Sequence, residues 1–277
     1  MQDNRKQLAA EHVQSIAKPR HWKVPAAVVV VAAIAIVGVM RWLDKTGAES
    51  AATKALLSSD ARTLASARGQ RGTTTLSDGS VARIGAESRL RLPEEFGTTM
   101  RTLELDGTAN FVVAPGKPLP FVVRAANAEI TATGTEFAVR AFEDDSAVVV
   151  SVTEGAVAVR VRDGGESSIL KAGEAVRVTP DGKFTPLSAE SRAASMAWLR
   201  DTLEFVNVPV RIALPELNRW FDLKTTLADP TLGDRVVSLR IALASRGDAL
   251  KALADAAQLS IGFDKDEHVV LGAARAR

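Results

Sequence analysis

The chain of 277 residues contains no cysteine. Disulfides, a lipid anchor on sulfur, thiolate metal sites and cysteine nucleophiles are thereby excluded, so its domains must fold by core burial alone. Histidine is nearly as scarce, and His12, His21 and His268 lie far apart without the HExxH spacing of a zinc hydrolase. No Gly-Lys-Ser/Thr phosphate loop and no nucleophile elbow occurs. Asp264, Asp266 and Glu267 beside His268 lack the length and glycine of a calcium loop, and read with Asp144-Asp145 as solvated turns. Charge of one sign is lacking too: 35 basic against 33 acidic residues leave a net charge of +2, which does not indicate nucleic-acid binding. We therefore expect no cofactor, no metal and no enzyme acting on a separate substrate.

What is present is a long uncharged run. From Val24 to Met40 every residue is apolar or small, and Arg41, Trp42 and Leu43 extend it. About 20 residues of helix at about 1.5 Å each span about 30 Å of hydrocarbon. Trp22 and Trp42 stand where an interfacial aromatic belt would place them, and Arg41 can snorkel to the headgroups. Arg5, Lys6, Lys18, Arg20 and Lys23 crowd the upstream flank, whereas Asp44 and Glu49 balance the other. The positive-inside rule puts the N-terminus in the cytoplasm and all that follows Asp44 outside it. A cleaved signal peptide would have a shorter apolar core and a better cleavage site than Thr46-Gly47-Ala48. The run is read as a single-pass membrane anchor.

Beyond it the hydrophobic period changes twice. Residues 44–67 are rich in Ala, Ser and Thr and read as a helical or loose linker. From about 68 to 187, short segments alternate apolar with polar residues between Gly-containing turns such as Ser77-Asp78-Gly79-Ser80, Asp106-Gly107 and Ala172-Gly173. Val148, Val150 and Val152 lead through Glu154-Gly155 to Val157, Val159 and Val161, which reads as a hairpin with one buried face. These features predict an all-β domain. Ser188 is a candidate N-cap for a helical connector over 188–202. In 203–277 the order β-α-β-β-α-β-β predicts a small α+β domain. Its first helix, nominally Val210 to Phe221, is expected to start near Ile212 or to kink, because Pro215 removes a helix hydrogen bond. The expected organisation is a cytoplasmic tail (1–23), a transmembrane helix (24–43), a linker (44–67), an all-β periplasmic domain (68–187), the connector (188–202) and the small domain (203–277).

Several blocks occur in a fixed order: Arg71-Gly72 to Leu76, Ser77-Asp78-Gly79-Ser80, Arg101 to Gly107, Asn110-Phe111-Val112-Val113, Pro120-Phe121-Val122-Val123, Gly134 to Arg140, Val152 to Val157 and Ala172-Gly173-Glu174. Behind a membrane helix, this succession resembles the FecR family of transmembrane sensors that regulate extracytoplasmic-function sigma factors. Trp198 to Leu271 is similar to the secretin/TonB short N-terminal domain that ends those sensors. The resemblance implies a relay. The periplasmic signalling domain of a TonB-dependent outer-membrane receptor would touch the C-terminal region, and the cytoplasmic end would bind a sigma factor. Family members carry a longer, tryptophan-rich cytoplasmic segment for that purpose, whereas only Met1 to Lys23 precede the run here, which reads as a start placed late, a truncated copy or a tail that acts differently. Release of the cytoplasmic end by regulated proteolysis is the expected mechanism. The alternative is a membrane-tethered periplasmic scaffold or binding module without sigma-factor control.

Two sets of residues are singled out. Some family members cut themselves at a Gly-Thr bond through an N-to-O acyl shift, and the resemblance carries that chemistry to Gly134 and Thr135; otherwise Gly134 serves a tight turn. Leu203, Phe205, Trp220 and Phe221 are candidates for the partner-docking surface, the other reading being that all four are core.

Overall fold

The computed structural model describes residues 48–162, 165–265 and 268–274. The tail 1–23, the apolar run 24–43 with its aromatic and basic flanks, His12 and His21, and Asp266 and Glu267 lie outside the described residues. Among the described residues no helix is long and apolar enough to cross a membrane.

The chain enters through helix α1 (Ala48–Leu57), whose Ala52 and Leu56 are buried. The linker expected over 44–67 thus contains this helix, and its end belongs to the sheet: β1 (Arg62–Ala65) pairs antiparallel with a later strand. The remaining strands of the larger domain are β2 (Gly72–Thr75), β3 (Val81–Ile84), β4 (Arg89–Leu92), β5 (Thr102–Val112), β6 (Phe121–Ala125) and β7 (Ala128–Ala132). They continue with β8 (Glu136–Ala141), β9 (Val148–Glu154), β10 (Ala156–Val161), β11 (Ser167–Lys171), β12 (Ala175–Val178) and β13 (Phe184–Pro186).

These strands form two layers that share β5. One runs β1-β4-β5-β6-β7-β10-β11. The other runs β2-β3-β5-β8-β9-β12-β13. The first half of β5 pairs in the first layer and its second half, from Gly107, in the other. Gly107 has φ +116, and a Cβ there would stand 2.7 Å from the Cα of Ser88, so no other residue fits this bend. Between the layers lies one apolar core built on Phe111, whose ring centroid is 5.5 Å from those of both Phe121 and Phe137.

The valine hairpin expected at Glu154-Gly155 is corrected here. β9 pairs with β8 and β12, whereas β10 pairs with β7 and β11; the two strands are not partners. Gly155 (φ +81) turns the chain from one layer into the other. Both valine faces still point into the same core, which is all the alternation required.

Ser188 caps helix α2 (Ala189–Ser195) by accepting a hydrogen bond from the Ser191 N–H, and a 3-10 turn (Ala197–Arg200) completes the connector. The small domain follows as β14 (Thr202–Pro209), α3 (Val210–Phe221), β15 (Thr226–Leu227), β16 (Val236–Ala242), α4 (Arg246–Ala256), β17 (Leu259–Phe263) and β18 (Val269–Ala273). Its strands form two small sheets, β14-β16 and β15-β18-β17. Helix α3 starts at Val210, two residues earlier than Pro215 suggested, and carries that proline inside it. The amphipathic face of α3, with Ala213, Leu214, Leu217, Trp220 and Phe221 buried, holds it in place despite the missing hydrogen bond.

Candidate functional site

Two blocks that looked unremarkable as sequence meet inside the β domain. The turn Ser77-Asp78-Gly79-Ser80 brings Asp78 against Arg101 at the entry to β5, and both side chains are almost wholly buried. Arg101 Nε donates to Asp78 Oδ2 at 2.8 Å, and Nη2 lies 2.7 Å from the same oxygen. Nη1 donates to the Leu119 carbonyl at 2.9 Å and Nη2 to the Ala114 carbonyl at 3.2 Å. Ser80 closes the network, its N–H and hydroxyl donating to Asp78 at 2.9 and 2.8 Å. Every group has partners, as a buried ion pair requires, and the unit is structural: it ties a turn, a strand start and a loop together.

The Gly134–Thr135 bond lies in the connection from β7 to β8, at the edge of the same core. Gly134 has φ +148, and a Cβ there would come within 3.0 Å of Pro115 Cβ. Thr135 is buried, and its Oγ1 has no hydrogen-bond partner among the described residues. Its carbonyl accepts from the Val113 N–H at 2.9 Å. The turn of Gly155 presses on the other side: a Cβ on Gly155 would meet Thr135 Cγ2 at 2.7 Å and the Gly134 carbonyl oxygen at 3.4 Å. The bond is therefore held between Pro115 and Gly155. Its neighbouring hydroxyl is desolvated and unengaged, a state that costs about 1–3 kcal/mol for a buried polar group. The tight-turn role of Gly134 is visible in this geometry as well.

The four candidate docking residues are core. Leu203, Phe205, Trp220 and Phe221 are all under a tenth exposed and belong to the small domain's own apolar cluster. Trp198 of the connector joins them, its ring 5.6 Å from that of Trp220. Leu203, Phe205 and Trp220 do reach the wall of a crevice of about 530 Å³ between the small domain and the β domain; Phe221 does not. Exposed apolar side chains of the small domain include Ile212, 54% exposed on the wall of the same crevice, and Val236, 57% exposed on β16. Phe263 is 71% exposed and Ile261 42% exposed, both on β17, which is paired on one side only. This strand answers to one expected in the β-α-β-β-α-β-β order, which gave no sign of which face lacked cover.

No group of three or more Asp, Glu or His among the described residues is placed to hold a metal ion.

Comparison with known proteins gives a family. Residues 62–158 match the model of the FecR protein family. Two crystal structures of a proposed anti-sigma factor from Parabacteroides distasonis ATCC 8503, at 2.50 and 1.65 Å resolution, share this architecture with a TM-score of 0.69 and 25% sequence identity. They cover 78% and 77% of this chain and the whole of their own. No curated protein matches the chain. The ordered blocks, the matched model and the common architecture agree in placing a FecR domain at residues 62–158 of the chain.

Proposed function

We propose that the chain is a signal-transducing anti-sigma regulator of the bacterial inner membrane. Its segment 24–43 is the single membrane span, its tail 1–23 engages an extracytoplasmic-function sigma factor, and its two domains face the periplasm. The observation that carries this reading is the likeness to the anti-sigma factor structures, which extends over their full length and so includes the small domain as well as the β domain. The uncharged run and its basic upstream flank support the orientation.

The input is the periplasmic signalling domain of a TonB-dependent outer-membrane receptor. An α+β domain with a free strand edge can take on a further strand, and β17 offers one with Ile261 and Phe263 beside it. This moves the docking surface from the four core residues to β17. The full chain in membranes, photo-crosslinked from position 263 in the presence of purified signalling domain, should give a product of the combined mass. Absence of any such product with every receptor domain encoded in the genome removes the input of the relay.

Self-cleavage at Gly134–Thr135 is a subsidiary property of the same reading, supported by the unengaged Thr135 hydroxyl. The Thr135 oxygen would attack the Gly134 carbonyl carbon, the C–N bond would break, and the hydroxyl proton would end on the new Thr135 amine. Water then hydrolyses the ester, leaving a Gly134 carboxylate and a free Thr135 hydroxyl. Freshly purified chain should run as two fragments on a denaturing gel, and Thr135→Ala as one band. A single intact band for both removes this property and leaves the regulator reading standing.

A further inference from the structure

The junction between the two domains is built from charge. From the small domain, α3 presents Glu216 and Arg219; from the β domain come Arg140 on β8, Phe142, Asp144 and Asp145 beyond it, and Glu87 between β3 and β4. Glu216 is the hub. Its Oε1 lies 2.7 Å from Arg140 Nη1 and accepts from the Trp220 indole N–H at 2.6 Å, while its Oε2 accepts from Arg219 Nη1 at 3.0 Å. Arg219 reaches across to Asp144 with Nη2 at 3.0 and 3.1 Å from its two oxygens, and its Nε is 3.2 Å from Glu87 Oε2. Arg140 is held by Asp145 at 2.9 Å. The ring of Phe142 packs against both guanidinium groups, with Arg219 Cζ 3.6 Å and Arg140 Cζ 4.8 Å from its centroid. Burial alone would raise the Glu216 carboxyl, but the two arginines and the indole more than offset it and hold the group below the usual carboxylate range.

Apart from this cluster the contacts are few: Trp220 lies over Gly85, and the connector's Ser195 and Met196 meet Ser151 and Thr153 of β9. Each has its own core, and among the described residues of the β domain Ala86 is the one that joins the core of the small domain. The Gly69 N–H donates to the Arg219 carbonyl at 2.9 Å, and Arg71 pairs with Asp201 at the surface. The crevice of about 530 Å³ opens directly beside Glu216 and Trp220. A polar junction between two independently packed cores lets them part without either unfolding, and domain motion is then the default.

We propose that the Arg140–Glu216–Arg219–Asp144 cluster is a latch that holds the small domain closed on the β domain, and that the chain has a second arrangement in which the small domain swings away on its connector. Glu216 is the release point. Without its charge, Arg140 keeps Asp145 and Arg219 keeps Asp144 and Glu87, but the one carboxylate that the two guanidinium groups share across the junction is gone, and the small domain departs with both cores intact. The relay would thereby gain a bistable element that binding at the small domain could bias.

The absence of native cysteine makes the test direct. In the full chain in membranes, Ala86→Cys places the sole thiol at a fully buried position under the small domain, and its alkylation rate reads opening. Adding Glu216→Gln, which keeps the size and the indole partner, should raise that rate about 100-fold or more, the effect of breaking one side of a buried ion pair. A thiol placed instead by Ala109→Cys, inside the β-domain core, should stay protected in both backgrounds. Equal rates at position 86 with and without Glu216→Gln overturn the proposal. So does a parallel rise at position 109, which would mean that the cluster stabilises the fold as a whole. If Ala86→Cys does not fold, hydrogen exchange of the Gly69 amide in the Glu216→Gln chain decides the same question: lost protection supports the latch and unchanged protection overturns it.

Discussion

Replacing Arg101 by Met should unfold the β domain far more readily than any exposed substitution. Arg101 is 3% exposed, and its guanidinium is shared by the Asp78 carboxylate and the Leu119 and Ala114 carbonyls. Methionine fills much of the stem's volume but leaves a carboxylate buried with only Ser80 to solvate it. Breaking one side of a buried pair costs about 3–5 kcal/mol. For a domain of this size each kcal/mol moves the unfolding midpoint by about 3 °C, so the β-domain transition should fall by about 10–15 °C. Arg101→Lys keeps the charge and loses the planar fork, and should fall by a smaller amount. The double change Arg101→Met with Asp78→Leu removes both charges, and should be less damaging than the two single effects summed by about 2 kcal/mol. Thermal unfolding followed by circular dichroism on the detergent-solubilised chain reads these three variants and Asp78→Leu alone. A fall of less than about 3 °C for Arg101→Met, or strict additivity in the double mutant, would refute the reasoning.

Other consequences follow from single positions. Gly107→Ala forces a Cβ to within 2.5 Å of Ser88 Cβ at φ +116, and should cost about 3 kcal/mol in denaturant unfolding from strain and overpacking together. Gly116→Ala, at φ +72 with open space around it, should cost about 1 kcal/mol. The docked arrangement should also resist acid. A carboxyl whose folded pKa lies below its ordinary value near 4.5 contributes stability that is complete above that value and is lost as pH falls through the lowered one. Protection of the Gly69 amide should therefore persist at pH 4.5 and fail only in stronger acid, with Arg140, Arg219, Asp144 and Asp145 the other charges around Glu216. Glu216→Gln should abolish that acid dependence.

Much of the architecture was legible because it rests on period. Alternating valines at 148–152 and 157–161 marked two strands with buried faces, and the β-α-β-β-α-β-β order of the small domain was legible as well. Pairing was not legible there. Alternation records which face is buried and says nothing about which neighbour supplies the hydrogen bonds, so β9 and β10 looked like partners while serving different layers. β1 escaped notice because Arg62-Thr63-Leu64-Ala65 carries too little apolar surface to stand out, its single leucine packing against a core supplied by others. The charged networks were hidden for a related reason. Arg101, Asp78, Glu216 and Arg219 are residue types that normally face water, and only the three-dimensional meeting of distant segments shows that they are buried and paired. Gly134 and Thr135 could be picked out from a resemblance, whereas the empty hydrogen-bonding position of Thr135 could not.

The measurement that tests the account most directly is capture of a sigma factor by the full chain purified from bacterial membranes, beside the same chain lacking residues 1–23. Co-purification of a cognate extracytoplasmic-function sigma factor with the intact chain, and its loss from the shortened one, is the predicted result. A sigma factor that stays in the soluble fraction in both cases, in cells that express every such factor, would contradict the assignment of the chain as an anti-sigma regulator.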